Sequence, residues 1–213
     1  MDMEILYNDK SIIVCVKPVG LLSQADSGGR ANMVDELSRL CESEIFPLHR
    51  LDRDVGGVMV FAKTKMAAAK LSQDIAEHRF VKKYYALVHG CPKEKSGEMR
   101  DWLFKDSLKN KSYVVKNKRK GVKEAFLEYS VLNTSETEQA SLVEVVLHTG
   151  RTHQIRVQFA SRKMPLFGDR KYGGKDNISG IGLWSYQISL KHPQTGEMLT
   201  FCSKSENYIS DFL

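Results

Sequence analysis

The sequence predicts an α+β fold: a mixed, largely antiparallel β-sheet with flanking helices. Three observations lead there. Seven short runs rich in β-branched and aromatic residues are bounded by Gly, Pro or charges. Only two segments keep helical spacing. Those two fall too irregularly among the strands for strict β-α-β alternation.

Taken in chain order, SIIVCV (11–16) is a short apolar run and reads as a strand. MVDELSRLC then sets Val34, Leu37 and Cys41 on one helical face. GVMVFA (57–62) is the next strand, and KTKMAAAKLSQDIAEHR is an Ala-rich helix aligning Met66, Ala69 and Ala76 loosely with Leu71 and Ile75. YYALVH (84–89), AFLEYSVL (125–132), LVEVVLH (142–148) and LWSYQISL (183–190) complete the longer strands. QIRVQF (154–159) alternates apolar and polar residues, so it too reads as a strand.

Between these lies KDSLKNKSYVVKNKRKGVK (105–123), with eight basic residues and one acidic residue, Asp106. Its alternating centre suggests a hairpin with a Lys-rich tip. One reading is a solvated loop kept soluble by charge. The other is an arm, including Lys118, Arg119 and Lys120, that follows a phosphate backbone with salt-sensitive affinity.

At 213 residues and 42% hydrophobic composition, the chain can enclose a sizeable core, and residues 1–213 are expected to form one domain. The formal charge of +6 and pI near 9.0 suit a polyanionic partner, though such a balance also occurs in proteins that touch no nucleic acid. Cys15, Cys41, Cys91 and Cys202 are widely spaced and form no C-x-x-C pair, as expected of reduced thiols in the cytoplasm. No charged leader precedes an apolar run, and no stretch approaches the roughly 18 apolar residues of a membrane span, so a soluble, unexported, cytoplasmic protein is expected.

Several motifs fail. GDRKYGGKD (168–176) lacks the spacing of a phosphate loop and has Asp176 where a magnesium-holding hydroxyl belongs. His148 and His153 have poor metal-ligand spacing, no G-x-S-x-G elbow exists, and no cysteine has a local base.

Two stretches remain. PLHRLDRDVGG (47–57) sets Asp52 among His49, Arg50 and Arg53 just before an apolar run. LHTGRTHQIRVQFA (147–160), read as a strand, puts Ile155, Val157 and Phe159 on one face and a donor row of Gln154, Arg156 and Gln158 on the other. Gly150 supplies a turn that frees Arg151 to point into a cleft. Alone, either stretch is equally an ordinary strand with a surface ion pair.

Together they resemble the RluA-type pseudouridine synthases, which carry H-R-L-D-R-x-T-S-G before an apolar strand and G-R-T-H-Q-I-R-V further on. His49 to Arg53 match the first, with Gly57 closing it, and Gly150 to Val157 match the second without a gap. VKPVGLL (16–22), KKYYALVHG (82–90), PLFGDRKYGG (165–174) and HPQTGE (192–197) follow the family's order. Val55 and Gly56 replace Thr and Ser, Trp184 stands in place of a histidine, and CSKSEN (202–207) replaces a proline-rich ending. The core motifs begin near residue 12, so the S4-like RNA-binding extension of many relatives is not expected here.

The resemblance implies the pseudouridine synthase fold, and a cofactor-free, metal-free isomerase that cleaves the uridine N-glycosidic bond and rejoins C5 to C1′. It assigns the reacting carboxylate to Asp52, as nucleophile or as the base for elimination through a glycal. Arg151 is its expected cationic partner, since a nearby positive charge favours a carboxylate's charged form. The target base must be flipped from its stack; Arg50 is the expected filler and Tyr84 the ring stacking on the uracil, although a strand tyrosine is also a common core residue. His49, Arg53, Gln154, Arg156 and the basic arm are expected to contact RNA. HQIR and GDRKYGG build the floor and rim of the pocket in this reading. His153 is read as a structural hydrogen-bonder, and Lys17 as bracing a turn or touching a phosphate. The partner is transfer or ribosomal RNA, met by a monomer. A structured-RNA-binding relative without activity, and a metal-dependent nuclease using Asp52, are the alternatives; the second lacks clustered carboxylates.

Overall fold

The computed structural model describes residues 3–176, 178, 180–204 and 209; the sequence departure at 202–207 therefore lies partly outside the described residues. Its elements in order are β1 (Ile5–Asn8), β2 (Ile12–Lys17), α1 (Met33–Cys41), β3 (Phe46–Pro47), β4 (Gly56–Ala62), α2 (Lys65–Ala76), β5 (Val81–His89), β6 (Ser96–Asp106), β7 (Lys111–Val115), β8 (Val122–Ser135), β9 (Ala140–Leu147), α3 (Gln154–Ser161), β10 (Leu183–Lys191) and β11 (Met198–Cys202). They fall into two compact units. One runs through Lys82 and resumes over Ser185–Lys204; the other holds Lys83–Trp184.

In the first unit β4 lies between β2 and β10, with β1 beyond β2, β11 beyond β10 and the two-residue β3 on β4. The pairs β1/β2, β2/β4, β3/β4 and β10/β11 are antiparallel. β2 and β4 are buried along their whole length, which is why both read as continuous apolar runs. Ile12, Val14, Val58, Val60, Leu71, Phe80, Ile188 and Leu190 form their shared core.

Both helices here start on a side-chain cap. Asn32 accepts from Asp35 N at the head of α1, and Thr64 accepts from Ala67 N at the head of α2. The buried face of α2 is Ala67, Leu71 and Asp74; Met66, expected on that face, is 76% exposed. Asp74 is affordable there because Arg79 reaches its Oδ1 at 2.6 Å. Gly57 combines φ of +117° with close contact: a Cβ would meet Ser185 O at 2.2 Å, so only glycine fits.

The second unit is an antiparallel sheet in the order β5-β9-β8-β6-β7. The expected hairpin exists as β6/β7, but its tip holds Lys109 alone; Lys116, Lys118, Arg119 and Lys120 lie in the connection from β7 to β8.

One element is corrected. Residues 154–159 form most of the helix α3, not a strand, and all six are buried. Val157 packs with Leu103 and Ala125. No helix among the described residues is long and apolar enough to cross a membrane.

Candidate active site

Asp52 sits on the loop between β3 and β4 in the first unit, and three neighbours from the 17–23 segment hold that loop. Lys17 is completely buried, and its Nζ donates to the carbonyl oxygens of Pro18 (2.8 Å), Leu21 (2.7 Å) and Arg53 (3.1 Å). Gly20 N also donates to Arg53 O at 2.8 Å. Ser23 Oγ donates to Leu51 O at 2.7 Å and accepts from Leu51 N at 3.0 Å. The residues flanking Asp52 on both sides are thus pinned through their backbones. Burial pushes the Lys17 ammonium down to about 8, against the opposing pull of the Asp54 and Asp52 charges.

Within the loop, Leu51 and Val55 turn inward, Asp52 is partly exposed, and Arg50 and Arg53 are exposed. Arg53 pairs with Asp54 at 2.8 Å. His49, expected to contact RNA, instead faces inward. Its Nε2 accepts from Val60 N at 3.2 Å, one step beyond the Phe46↔Ala62 and Pro47↔Phe61 pairs. The ring therefore continues a backbone ladder. That bond places the proton on Nδ1, which is buried without a hydrogen-bond partner among the described residues. Burial, with the nearby Lys82 charge, drives the imidazole's pKa down to about 3, so it is neutral in ordinary buffers.

In the second unit, Tyr84 lies on β5 opposite Val145 and is 4% exposed. Arg151 is partly exposed but tethered: its Nε donates to Glu124 O at 2.7 Å, and its backbone N donates to Gln154 Oε1 at 3.0 Å. It is not the free side chain expected from the Gly150 turn.

The expected donor row is also corrected. Gln154 Nε2 donates to Phe126 O at 3.1 Å while its Oε1 accepts from Thr149 Oγ1 at 2.7 Å. Gln158 Nε2 donates to Met99 O and to Asp101 Oδ2. Arg156 forms a buried two-point pair with Asp169, at 2.7 and 2.8 Å. These side chains hold the unit together rather than facing a ligand, because residues 154–159 are all buried.

The Arg156–Asp169 pair joins two of the sequence motifs, and Tyr172 reinforces the junction. Its hydroxyl accepts from Ser112 N at 2.7 Å and lies 3.0 Å from His153 Nδ1. His153 is thus a structural hydrogen-bonder, in a left-handed conformation at the start of α3.

Residues 11–161 match the RNA pseudouridylate synthase family. The chain belongs to that family. It is 35% identical over 218 residues to an uncharacterized RNA pseudouridine synthase of Aquifex aeolicus, covering 93% of this chain and 68% of that protein. It is 30% identical over 221 residues to ribosomal large subunit pseudouridine synthase C of Buchnera aphidicola from Schizaphis graminum, covering 98% and 69% respectively. The fold is shared with human RNA pseudouridylate synthase domain containing 1, at a TM-score of 0.79 and 21% identity over 96% of this chain and 84% of that one. The protein is an RNA pseudouridine synthase: its substrate is RNA and its reaction an isomerisation.

For this synthase the loop clamp was the part least visible beforehand. Lys17 was expected to brace a turn or touch a phosphate, and nothing in its spacing named Arg53 as its acceptor. Ser23 carried no signal at all, because its partner is backbone.

Proposed function

We propose that the synthase acts on uridines of transfer or ribosomal RNA flipped from their stack, with Asp52 starting the reaction and Tyr84 and Arg151 completing the catalytic set. The observation that carries this reading is the Asp52 loop: one partly exposed carboxylate, flanked by exposed Arg50, on a backbone pinned through Leu51 and Arg53. Preorganisation of that kind lowers the cost of presenting a reacting group.

The reaction balances without an outside reagent. The N1–C1′ bond breaks, uracil turns, C5–C1′ forms, the C5 proton leaves and N1 ends protonated. Asp52 attacks as a nucleophile or removes the proton that starts elimination. Arg50 fills the gap left by the flipped nucleotide, Tyr84 stacks on the uracil, and Arg151 supplies the positive charge the reaction draws on. Arg53, Lys118, Arg119 and Lys120 meet the phosphate backbone. The protein works as a cytoplasmic monomer and needs no metal or cofactor.

Purified protein should form pseudouridine in unmodified transfer- or ribosomal-RNA transcripts with chelator present. Pseudouridine maps of cells with and without the gene would then identify the RNA and the position. A strict requirement for divalent metal, or turnover confined to some other RNA class, would contradict the reading.

A further inference from the structure

Beyond the catalytic set, the outward face of β6 and β8 carries a row of rings with cations laid on them. Arg100, Trp102 and Phe104 alternate along β6, so they share one face, while Met99 and Leu103 on the other face are buried. Trp102 and Phe104 remain partly exposed, and Tyr113, opposite Phe104 on β7, is 37% exposed.

Each ring has a cation within interaction range. Arg100 Cζ is 3.5 Å from the Phe126 centroid, Lys118 Nζ 5.4 Å from Trp102 and Arg119 Cζ 5.3 Å from Phe104. Phe126 also stacks on His148, with centroids 4.2 Å apart and planes within 8°. Because β8 lies between β6 and β9, Arg100 and His148 approach Phe126 from opposite sides. The result is a guanidinium–phenyl–imidazole stack whose outer layer is the half-exposed Arg100.

We infer that this face receives an unpaired stretch of the RNA substrate next to the modified nucleotide, with bases stacking on Arg100 and the Trp102–Phe104 row and phosphates meeting Lys118 and Arg119. The inference rests on the RNA-modifying reading above.

Charge selects RNA over an apolar partner. The segment 105–123 carries eight basic residues and one acidic one. Of the acids on this face, Glu98 bonds Arg100 Nε at 3.1 Å and Glu128 lies 3.1 Å from His148 Nε2, while exposed Glu124, opposite Trp102, is outweighed by the Arg100, Lys118 and Arg119 cations. Partly exposed rings with cations beside them are the arrangement that holds single strands regardless of sequence. The face also reaches Arg151, whose Nε bonds the carbonyl of Glu124, the residue opposite Trp102.

Tryptophan emission reads this directly, because the chain has two tryptophans and the other, Trp184, is 1% exposed. A ten-nucleotide oligouridine should quench the wild-type protein, the quench should vanish in Trp102→Phe, and a fully paired RNA duplex of equal length should produce little. In Lys118→Gln/Arg119→Gln, the slope of log affinity against log salt should fall by about 1.4, at about 0.7 for each lost phosphate contact on a single strand. No quench, an equal response to duplex, or an unchanged salt slope would overturn the inference. So would emission that changes with protein concentration alone, which would put a second copy of the chain on this face. Wild-type pseudouridine formation, measured alongside, separates the two readings: turnover without a Trp102 response sinks only this one, and a Trp102 response without turnover sinks only the catalytic proposal.

Discussion

Lys17 Nζ donates to the carbonyl oxygen of Arg53 across 3.1 Å, tying a buried ammonium to the residue that follows Asp52. The same ammonium serves Pro18 and Leu21, so one side chain fixes two loops at once. Lys17→Met leaves the Pro18 and Leu21 carbonyls short of a donor, at about 1–3 kcal/mol for each that stays buried, while Gly20 N alone is left holding Arg53 O. Turnover should fall through kcat more than KM, because the damage is to the placement of Asp52.

The titration of Lys17 gives a second readout of that contact. Its folded pKa of about 8 lies below the ordinary 10.5, so between those values the unfolded chain holds more protons than the folded one. This group's contribution to stability therefore rises with pH across that window, by up to about 1.4 kcal/mol per unit. Urea unfolding at pH 7.5 and 9.5 should show a smaller rise in Lys17→Met than in wild type, buried Lys82, whose pKa burial also lowers, being common to both.

His49 works in the acid range. Its folded pKa, about 3, lies below the ordinary 6.5, so the unfolded chain gains a proton first as pH falls. Stability should drop as pH is lowered from 6.5 toward 3, by up to about 1.4 kcal/mol per unit. His49→Gln keeps an acceptor for Val60 N and cannot titrate. Unfolding at pH 7 and pH 5 should therefore show a smaller acid loss in that variant; an equal loss would mean that other groups set the acid limit.

The Arg156–Asp169 pair predicts a large effect on stability. Both side chains are nearly or wholly buried, so Arg156→Met strands the Asp169 carboxylate and should cost about 3–5 kcal/mol. Thermal unfolding measures it. A loss below about 1 kcal/mol would mean that Asp169 finds another donor.

Most strands and both capped helices were legible because each buries its apolar residues in the core of its own unit. The helix α3 was not. Ile155, Val157 and Phe159 alternate with Gln154, Arg156 and Gln158, and alternation implies a strand only where one face meets water. Here no face does: the polar residues are buried too, each donating to a partner within the unit, Phe126, Asp169, or Met99 and Asp101. The Asp52 loop shows the complementary limit. Its carboxylate stood out between two arginines, but the atoms that hold it are mostly backbone carbonyls, which leave no mark on side-chain pattern.

The central claim is that the Asp52 carboxylate does the chemistry rather than the binding. Single-turnover pseudouridine yield and RNA dissociation constant should be measured together for wild type and Asp52→Asn, on the transcript the wild type modifies. Loss of product with affinity kept within about threefold, less than 1 kcal/mol, is the predicted result. Undiminished product formation by Asp52→Asn would contradict it.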